Sequence, residues 1–209
     1  LRGTVHPDAG LMKRAVSEIK SILSEKGLSN MPVGVDLVEP AMMLTLQEEG
    51  INVIDGQQIL LEARELKSKD EMILLNQACA MVDATYHMIY EKMKPGVSEA
   101  QIVAMSNKLL YELGSDDVEA INAISGERCS PHPHNFTDRI FRPGDQAFFD
   151  ILHSFNGYRT CYYRTFNIGT VSPAQLDAYK QCREWLDRAI ELVKPGVSTD
   201  KIASVWPKA

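Results

Sequence analysis

The sequence predicts a mixed α/β (α+β) fold, in which two related helix–helix–β units follow the end of a smaller α/β domain. Three observations predict it. The pentapeptide KPGVS occurs at residues 94–98 and again at 194–198, each time between two amphipathic helical patterns. Helical and strand-like patterns alternate over the first 60 residues. Asn156-Gly157 stands between two β-rich runs, which is a strong signal for a β-hairpin.

The N-terminal part has the pattern of an α/β unit. Residues 8–27 carry apolar side chains at helical spacing and end in glycine, which indicates an amphipathic helix with a stop signal. A strand at 31–37, a helix at 39–50 and a strand at 51–54 follow in the pattern. We therefore expect residues 1–60 to form the C-terminal part of an N-terminal α/β domain.

The second domain is predicted to begin near residue 61 and to run to residue 209. A long helical pattern covers residues 70–93 and is interrupted by the first KPGVS. A second helix starts after Ser98, because Ser98 and Gln101 have the spacing of a capping box.

The middle of this domain is rich in strands. It reads as a strand, a loop and a hairpin, at residues 120–125, 126–142, 146–152 and 158–168. A long helix at 172–193 then leads into the second KPGVS, after which we expect further strands, as after the first copy. The sequence begins with Leu1 rather than Met and stops soon after this helix start. We therefore expect parts of the natural protein to lie outside it.

Composition excludes several classes of protein. The chain of 209 residues has a formal net charge of −6, whereas nucleic-acid binding needs a basic surface. No apolar run approaches the roughly 20 residues of a membrane span. Cys79, Cys129, Cys161 and Cys182 have the spacing of neither a zinc site nor a compact disulfide framework. We interpret them as reduced thiols of a cytoplasmic protein.

The hairpin geometry groups the candidate site residues. With Asn156-Gly157 as the loop, Phe155 pairs with Tyr158, and continued pairing sets Asp150 opposite Tyr163. Cys161 is then the diagonal neighbour of Asp150 on the same face. This face carries Phe148, Asp150, Leu152, Arg159, Cys161, Tyr163 and Thr165. The other face carries Phe149, Ile151, Tyr158, Tyr162, Arg164 and Phe166.

Asp150 and two histidines are the candidates for chemistry. An acid in the apolar run FFDIL must be paired or bind a metal, since a buried lone carboxylate is costly. It is therefore either a metal ligand or the ion-pair partner of Arg159 or Arg164. His132 and His134 are either ligands or part of a surface loop. The other histidines show no partner in the sequence and are interpreted as structural or solvated: His6, His87 and His153.

A set of motifs between residues 123 and 169 resembles the pita-bread superfamily, which includes aminopeptidase P, prolidase, methionine aminopeptidase and creatinase. The motifs are Ser125-Gly126, Thr137-Asp138-Arg139, Gly144-Asp145, Asp150, Gly157-Tyr158 and Arg164-Thr165-Phe166. The stretch LLEARELKSKDEM from Leu60 resembles the entry into the catalytic domain of that superfamily. The similarity extends over about residues 30–209. It implies a pita-bread fold, a pseudo-twofold repeat of helix–helix–β units around a curved antiparallel sheet.

The resemblance also implies roles for individual residues. Asp150 matches the first metal-bridging aspartate, but Cys161 stands where a second aspartate is expected. His134 or, one residue off, His132 matches the histidine that contacts substrate; we prefer His134. Substrate contacts are expected from the hairpin residues Tyr158, Tyr163 and Arg164. The implied cofactor is a divalent metal (Mn²⁺, Co²⁺, Fe²⁺ or Zn²⁺), reduced to one ion or none by the change at Cys161.

Three functions remain open at this point. The first is a metal-dependent hydrolase resembling Xaa-Pro aminopeptidases and dipeptidases, which cleaves a small peptide or amide with metal-activated water. The second is a creatinase-like C–N hydrolase or a lyase of the same fold, acting on a small metabolite, to which the change at Cys161 points. The third is a non-catalytic binding module. The resemblance further implies a homodimer.

Overall fold

The computed structural model describes residues 9–207, which divide into two compact units between Ser68 and Lys69. The predicted domain boundary at residues 60–61 lies inside a continuous helix, Gln57–Glu65, so the chain divides after that helix ends. Within residues 9–207, no helix is long and apolar enough to cross a membrane.

The first unit is a small α/β arrangement. Its elements are α1 (Leu11–Glu25), β1 (Val33–Val35), α2 (Pro40–Glu48), β2 (Val53–Asp55) and α3 (Gln57–Glu65). The two strands pair in parallel, and α2 connects them. Val16, Leu46 and Ile51 form its buried core. The predicted helix–strand–helix–strand order is confirmed, whereas α3 covers residues that the sequence pattern assigned to a boundary.

The second unit packs two helices against one face of a three-stranded antiparallel sheet. Its elements are α4 (Lys69–Lys92), α5 (Glu99–Glu112), β3 (Asp117–Ser125), β4 (Gln146–Phe155), β5 (Tyr158–Asn167), α6 (Pro173–Glu191) and α7 (Thr199–Ala203). The strand order is β3-β4-β5, so β4 lies in the centre. Ile89, Ile102, Phe149 and Ile151 are among the side chains buried between helices and sheet. The predicted α/β fold is confirmed.

The hairpin has the predicted register. Phe155 pairs with Tyr158 and Asp150 with Tyr163. Asn156 and Gly157 have φ angles of 49° and 79°, which are the left-handed values that a two-residue hairpin turn requires. Because side chains alternate between the faces of a strand, this register decides which residues can meet Asp150.

The two KPGVS copies adopt the same turn. Val97 N donates to Lys94 O and Val197 N to Lys194 O, each at 3.1 Å. The predicted capping box of Ser98 and Gln101 is also confirmed, with both reciprocal hydrogen bonds present. The sequence repeat therefore corresponds to a structural repeat of the turn.

Tyr86 of α4 joins this helix to two strands. Its buried hydroxyl is 2.8 Å from Phe149 O and 2.6 Å from Tyr162 O. We expect Tyr86→Phe to lower the free energy of unfolding by about 1–2 kcal/mol, because buried carbonyls lose a partner. Urea denaturation measures this loss. Tyr90→Phe is the matched control on the same helix, since Tyr90 is 67% exposed, and an equal loss there would contradict the prediction.

Candidate functional site

Asp150 lies in the middle of the central strand, on the sheet face opposite α4 and α5. It is only 3% exposed. Asn122 Nδ2 of β3 donates to its Oδ2 at 3.2 Å, and Cys161 Sγ of β5 donates to its Oδ1 at 3.1 Å. The alternative that Asp150 pairs with an arginine is wrong, because Arg159 pairs with Glu119 and Arg164 with Asp83. The carboxylate is thus held by neutral donors from both neighbouring strands.

Cys161 is an ionisable neighbour of Asp150, with its sulfur 3.1 Å from Oδ1. Burial, the hydrogen bond to Asp150 and the charge of that carboxylate raise the pKa of the Cys161 thiol to about 11. The thiol is therefore protonated at neutral pH and donates to the carboxylate. Cys161 itself is an exposed residue, so the pair can be reached from solvent.

Whether this pair can hold a metal depends on the separation of the two donor atoms. Sulfur and oxygen ligands of one tetrahedral zinc ion lie about 3.6 Å apart, given bond lengths of about 2.3 and 2.1 Å. The observed 3.1 Å is slightly shorter, so a small side-chain rotation would accommodate an ion. Within residues 9–207 no group of three or more His, Cys, Asp or Glu side chains could hold a metal. Asp150 and Cys161 are therefore two adjacent donors whose spacing fits two ligands of one ion, and their role as metal ligands stays a prediction.

Tyr163 completes the cluster on this face. It lies directly across the ladder from Asp150 and is partly exposed. Burial, the charge of Asp150 and a hydrogen bond to it all raise the pKa of the Tyr163 phenol. The phenol is therefore neutral and can donate a hydrogen bond at physiological pH.

The predicted histidines lie in the loop next to this face. The His132 ring meets Phe148 edge-on, with centroids 5.3 Å apart, and the His134 ring lies 5.3 Å from His132. Phe148 in turn contacts Tyr163, with centroids 6.1 Å apart. The ring contacts thus connect the loop to the Asp150 face through His132, whereas the sequence comparison favoured His134. Both histidines are exposed.

Two predicted substrate-contact residues lie on the other face of the sheet. The Arg164 guanidinium stacks over the rings of Tyr86 and Tyr162, 5.6 and 4.6 Å from their centroids. The Tyr158 hydroxyl donates to Glu71 at 3.1 Å. Strand alternation separates both from Asp150, as the predicted register implied, and substrate contact by Tyr158 stays a prediction. Arg164 does share a groove between β5 and α6 with Tyr163, so a role there stays a prediction.

The remaining histidines have the expected roles where the structure describes them. The ring of His153 is buried, with Nδ1 2.9 Å from Ser115 Oγ and Nε2 2.9 Å from Ala78 O. His87 is exposed beside Glu91, at 3.5 Å. His6 lies outside the described residues.

A charged network behind the histidine loop was missed by the sequence reasoning. Arg139 donates to Asp145 and Glu127, each at 2.6 Å, and to Ser125 at 3.0 Å. The motif residues Ser125, Arg139 and Asp145, which precede Asp150 in the chain, therefore belong to one hydrogen-bonded scaffold. Gly126 belongs to the same scaffold, because a Cβ there would lie 2.1 Å from an Arg139 nitrogen.

Glu99 is the centre of a second network, which fastens the loop from the helix side. It is fully buried and accepts hydrogen bonds from Ser125, Arg128 and Thr137. A signal for it was present in the sequence: Glu99 follows the first KPGVS, whereas Thr199 follows the second.

The sequence is similar to a known protein family and to several known enzymes. The model of metallopeptidase family M24 matches residues 74–209. A probable dipeptidase PepE from Mycobacterium bovis is 26% identical over 180 residues, which are 84% of this chain and 48% of that protein. The Xaa-Pro dipeptidase from Pyrococcus furiosus is 24% identical over 148 residues, covering 70% and 42%.

A lyase and a solved dipeptidase structure are also similar. Dimethylsulfoniopropionate lyase DddP from Roseovarius nubinhibens is 24% identical over 196 residues, which are 90% of this chain and 44% of that protein. The structure of an Xaa-Pro dipeptidase from Bacillus anthracis superposes with a TM-score of 0.80 at 21% identity, covering 91% of this chain and 54% of that one. The chain spans about half the length of the curated relatives that it matches.

Proposed function

The chain belongs to metallopeptidase family M24, and we propose that it forms part of a metal-dependent hydrolase that cleaves a small peptide or amide, with Xaa-Pro dipeptides as the first substrates to test. The observation that carries the proposal is the buried Asp150 carboxylate, whose partners are neutral groups rather than an arginine. A carboxylate kept inside a sheet without a cationic partner is poised for a cation supplied from outside.

Asp150 and Cys161 are the residues of this chain that would hold the metal. A bound divalent ion would polarise the scissile carbonyl and lower the pKa of a coordinated water. Mn²⁺, Co²⁺ and Fe²⁺ suit a carboxylate, whereas a thiolate ligand shifts the preference towards Zn²⁺. Tyr163, as a neutral phenol, can donate a hydrogen bond to a substrate oxygen. The exposed rings of His132 and His134 can orient the substrate from the loop.

Metal analysis combined with a hydrolysis assay tests the proposal. The purified full-length protein is expected to retain a divalent ion after dialysis and to release proline from Xaa-Pro dipeptides. Metal-free protein that hydrolyses no dipeptide contradicts it and leaves two alternatives, an enzyme acting on a small metabolite and a non-catalytic binding module.

A second candidate is favoured by Cys161, which donates to Asp150 where a second metal-ligating carboxylate was expected. It is a creatinase-like C–N hydrolase or a lyase acting on a small metabolite. Turnover of such metabolites without dipeptide hydrolysis would support this alternative.

The Cys161→Asp variant tests whether position 161 belongs to the metal site and limits the number of ions bound there. A second carboxylate beside Asp150 is expected to raise the number of bound ions, because two adjacent carboxylates repel each other unless a cation lies between them. Metal content by atomic spectroscopy, at matched protein concentration, measures the change. Cys182→Asp on α6 is the control, since that cysteine is also exposed. An unchanged metal content in Cys161→Asp would place position 161 outside the site.

We also propose a cytoplasmic homodimer. The free state of all four cysteines is consistent with a reducing compartment. Size-exclusion chromatography with light scattering tests the dimer.

A further inference from the structure

Backbone hydrogen bonds join the loop that carries the two histidines to the first KPGVS turn and the residues that follow it. Glu99 N donates to Arg139 O at 3.0 Å and Ala100 N to Thr137 O at 3.1 Å. Phe141 N donates to Val97 O at 2.9 Å. The C-terminal end of the loop is thus bound by backbone hydrogen bonds to the start of α5, while residues 129–136 extend beyond it.

Glu99 joins both ends of this loop through its side chain. At the beginning of the loop, Ser125 Oγ donates to Oε1 at 2.7 Å and Arg128 donates to Oε2. At the end of the loop, Thr137 donates to Oε2 from its backbone N and from its Oγ1, each at 2.8 Å. The carboxylate therefore closes the loop that carries His132 and His134 at its base.

Arg128 extends the connection into the loop itself. Its Nη2 donates to Asn135 Oδ1 at 2.7 Å and its Nη1 to Thr137 Oγ1 at 3.1 Å. Asn135 is the residue directly after His134. Because charge-assisted hydrogen bonds to a buried carboxylate are the strong ones, the position of the loop depends on the charge of Glu99.

The second KPGVS copy shows that the turn itself does not need this acid. Thr199 stands at the equivalent position, and Gly196 has a φ of 83° against 92° for Gly96. The same turn therefore forms with either residue. The two copies differ in their surroundings. Within the described part of the chain, the histidine loop lies against the first turn and not against the second.

We propose that Glu99 is a positioning residue, which holds His132 and His134 at a fixed place relative to Asp150. It does so without touching the Asp150 cluster, since its partners are Ser125, Arg128 and Thr137. The part that these histidines play in catalysis rests on the proposed function. Their position can be measured in a protein without any activity.

The test is the Glu99→Gln variant of the full-length protein, with histidine labelled at its ring carbon for NMR. The amide keeps the shape of the side chain but removes the negative charge that binds Arg128 and Thr137, so we expect the loop base to open. We expect loss of the nuclear Overhauser contact between the rings of His132 and Phe148. We also expect altered resonances for His132 and His134, assigned with His→Gln variants, and an unchanged resonance for the buried His153.

Glu112→Gln is the matched control. It makes the same substitution at the other end of α5, where Glu112 is exposed and pairs only with Lys108 among the described residues. It is expected to leave every histidine resonance in place. A persisting His132–Phe148 contact in Glu99→Gln overturns the proposal. So does a shift of His153 together with the loop histidines, because that would make Glu99 a general structural residue.

Thr137→Val provides the second variant if Glu99→Gln does not fold. It removes the hydroxyl that bonds Glu99 while leaving the backbone hydrogen bond, and the same loss of the ring contact is expected; a retained contact overturns the proposal. In an active protein, Glu99→Gln should lower kcat by about 100-fold with little change in KM. Loss of the ring contact in a protein that hydrolyses nothing would reject the proposed function alone.

Discussion

Replacing Asp150 by asparagine is expected to remove metal binding and to lower kcat by at least about 1,000-fold. The carboxylate is the only charged ligand that β4 offers on this face, and its neighbours Asn122 and Cys161 are neutral donors. An amide oxygen is a much weaker ligand for a hard divalent ion. Three powers of ten in rate correspond to about 4 kcal/mol, within the several kcal/mol attributed to metal activation.

The same variant should fold normally. Asparagine has the size of aspartate and carries no buried charge. Its amide oxygen can accept a hydrogen bond from one of Asn122 and Cys161, and its amide nitrogen can donate to the other, either the turned-over Asn122 amide or the Cys161 sulfur. We therefore expect an unfolding free energy equal to or above that of the native protein. Metal content, steady-state kinetics and urea denaturation are measured together, with Asp177→Asn on the exposed surface of α6 as control. Full metal content in Asp150→Asn would remove this residue from the site.

The hairpin could be predicted because its information is local. Asn156 and Gly157 specify the turn, the turn specifies the register, and the register places Asp150, Cys161 and Tyr163 on one face. None of these steps needs knowledge of a distant segment. The same holds for the capping box at Ser98.

The scaffold around the loop could not be predicted, because it depends on residues far apart in sequence. Glu99 meets Thr137, 38 positions later, and Tyr86 meets Phe149, 63 positions later. Arg164 was assigned to substrate from its motif, although its partner Asp83 comes from α4. Side-chain pairing of this kind follows from packing, which a local pattern does not contain.

The side-chain pairs give the motif residues before Asp150 a structural role. Thr137, Arg139 and Asp145 follow the two histidines in the chain and bind one another or Glu99, not the Asp150 cluster. The motif therefore contains two groups of residues: a frame that holds the histidine loop in place, and the smaller group around Asp150. Such a frame suits a site whose ligands must be held within a fraction of an ångström.

Removing the guanidinium of Arg139 is expected to be the most destabilising change in this frame. We predict that Arg139→Met lowers the free energy of unfolding by about 3 kcal/mol, since it leaves the carboxylate of Asp145 without its cation. The side chains of Arg139 and Asp145 are 10% and 13% exposed, so water replaces little of the lost interaction. Arg183→Met, which breaks an exposed pair on α6, should cost less than about 1 kcal/mol.

The loss of unfolding free energy in Arg139→Met should become smaller as the pH falls. Burial alone would raise the pKa of Asp145, but the hydrogen bonds from Arg139 and the Arg142 amide outweigh it and lower that pKa. A lowered folded-state pKa contributes stability above the unfolded value of about 3.9, and this contribution is lost as the pH falls through the folded value. The native protein should therefore lose stability in acid more steeply than Arg139→Met.

Urea denaturation of the single and double variants at neutral and acidic pH decides whether this pair carries the effect. If it does, the stability difference between native protein and Arg139→Met narrows as the pH falls below about 4. Adding Asp145→Asn to Arg139→Met should recover part of the loss at neutral pH, because the unpaired charge is gone. A difference that is constant with pH, together with additive losses in the double variant, would mean that Arg139 stabilises the frame by packing rather than by its charge.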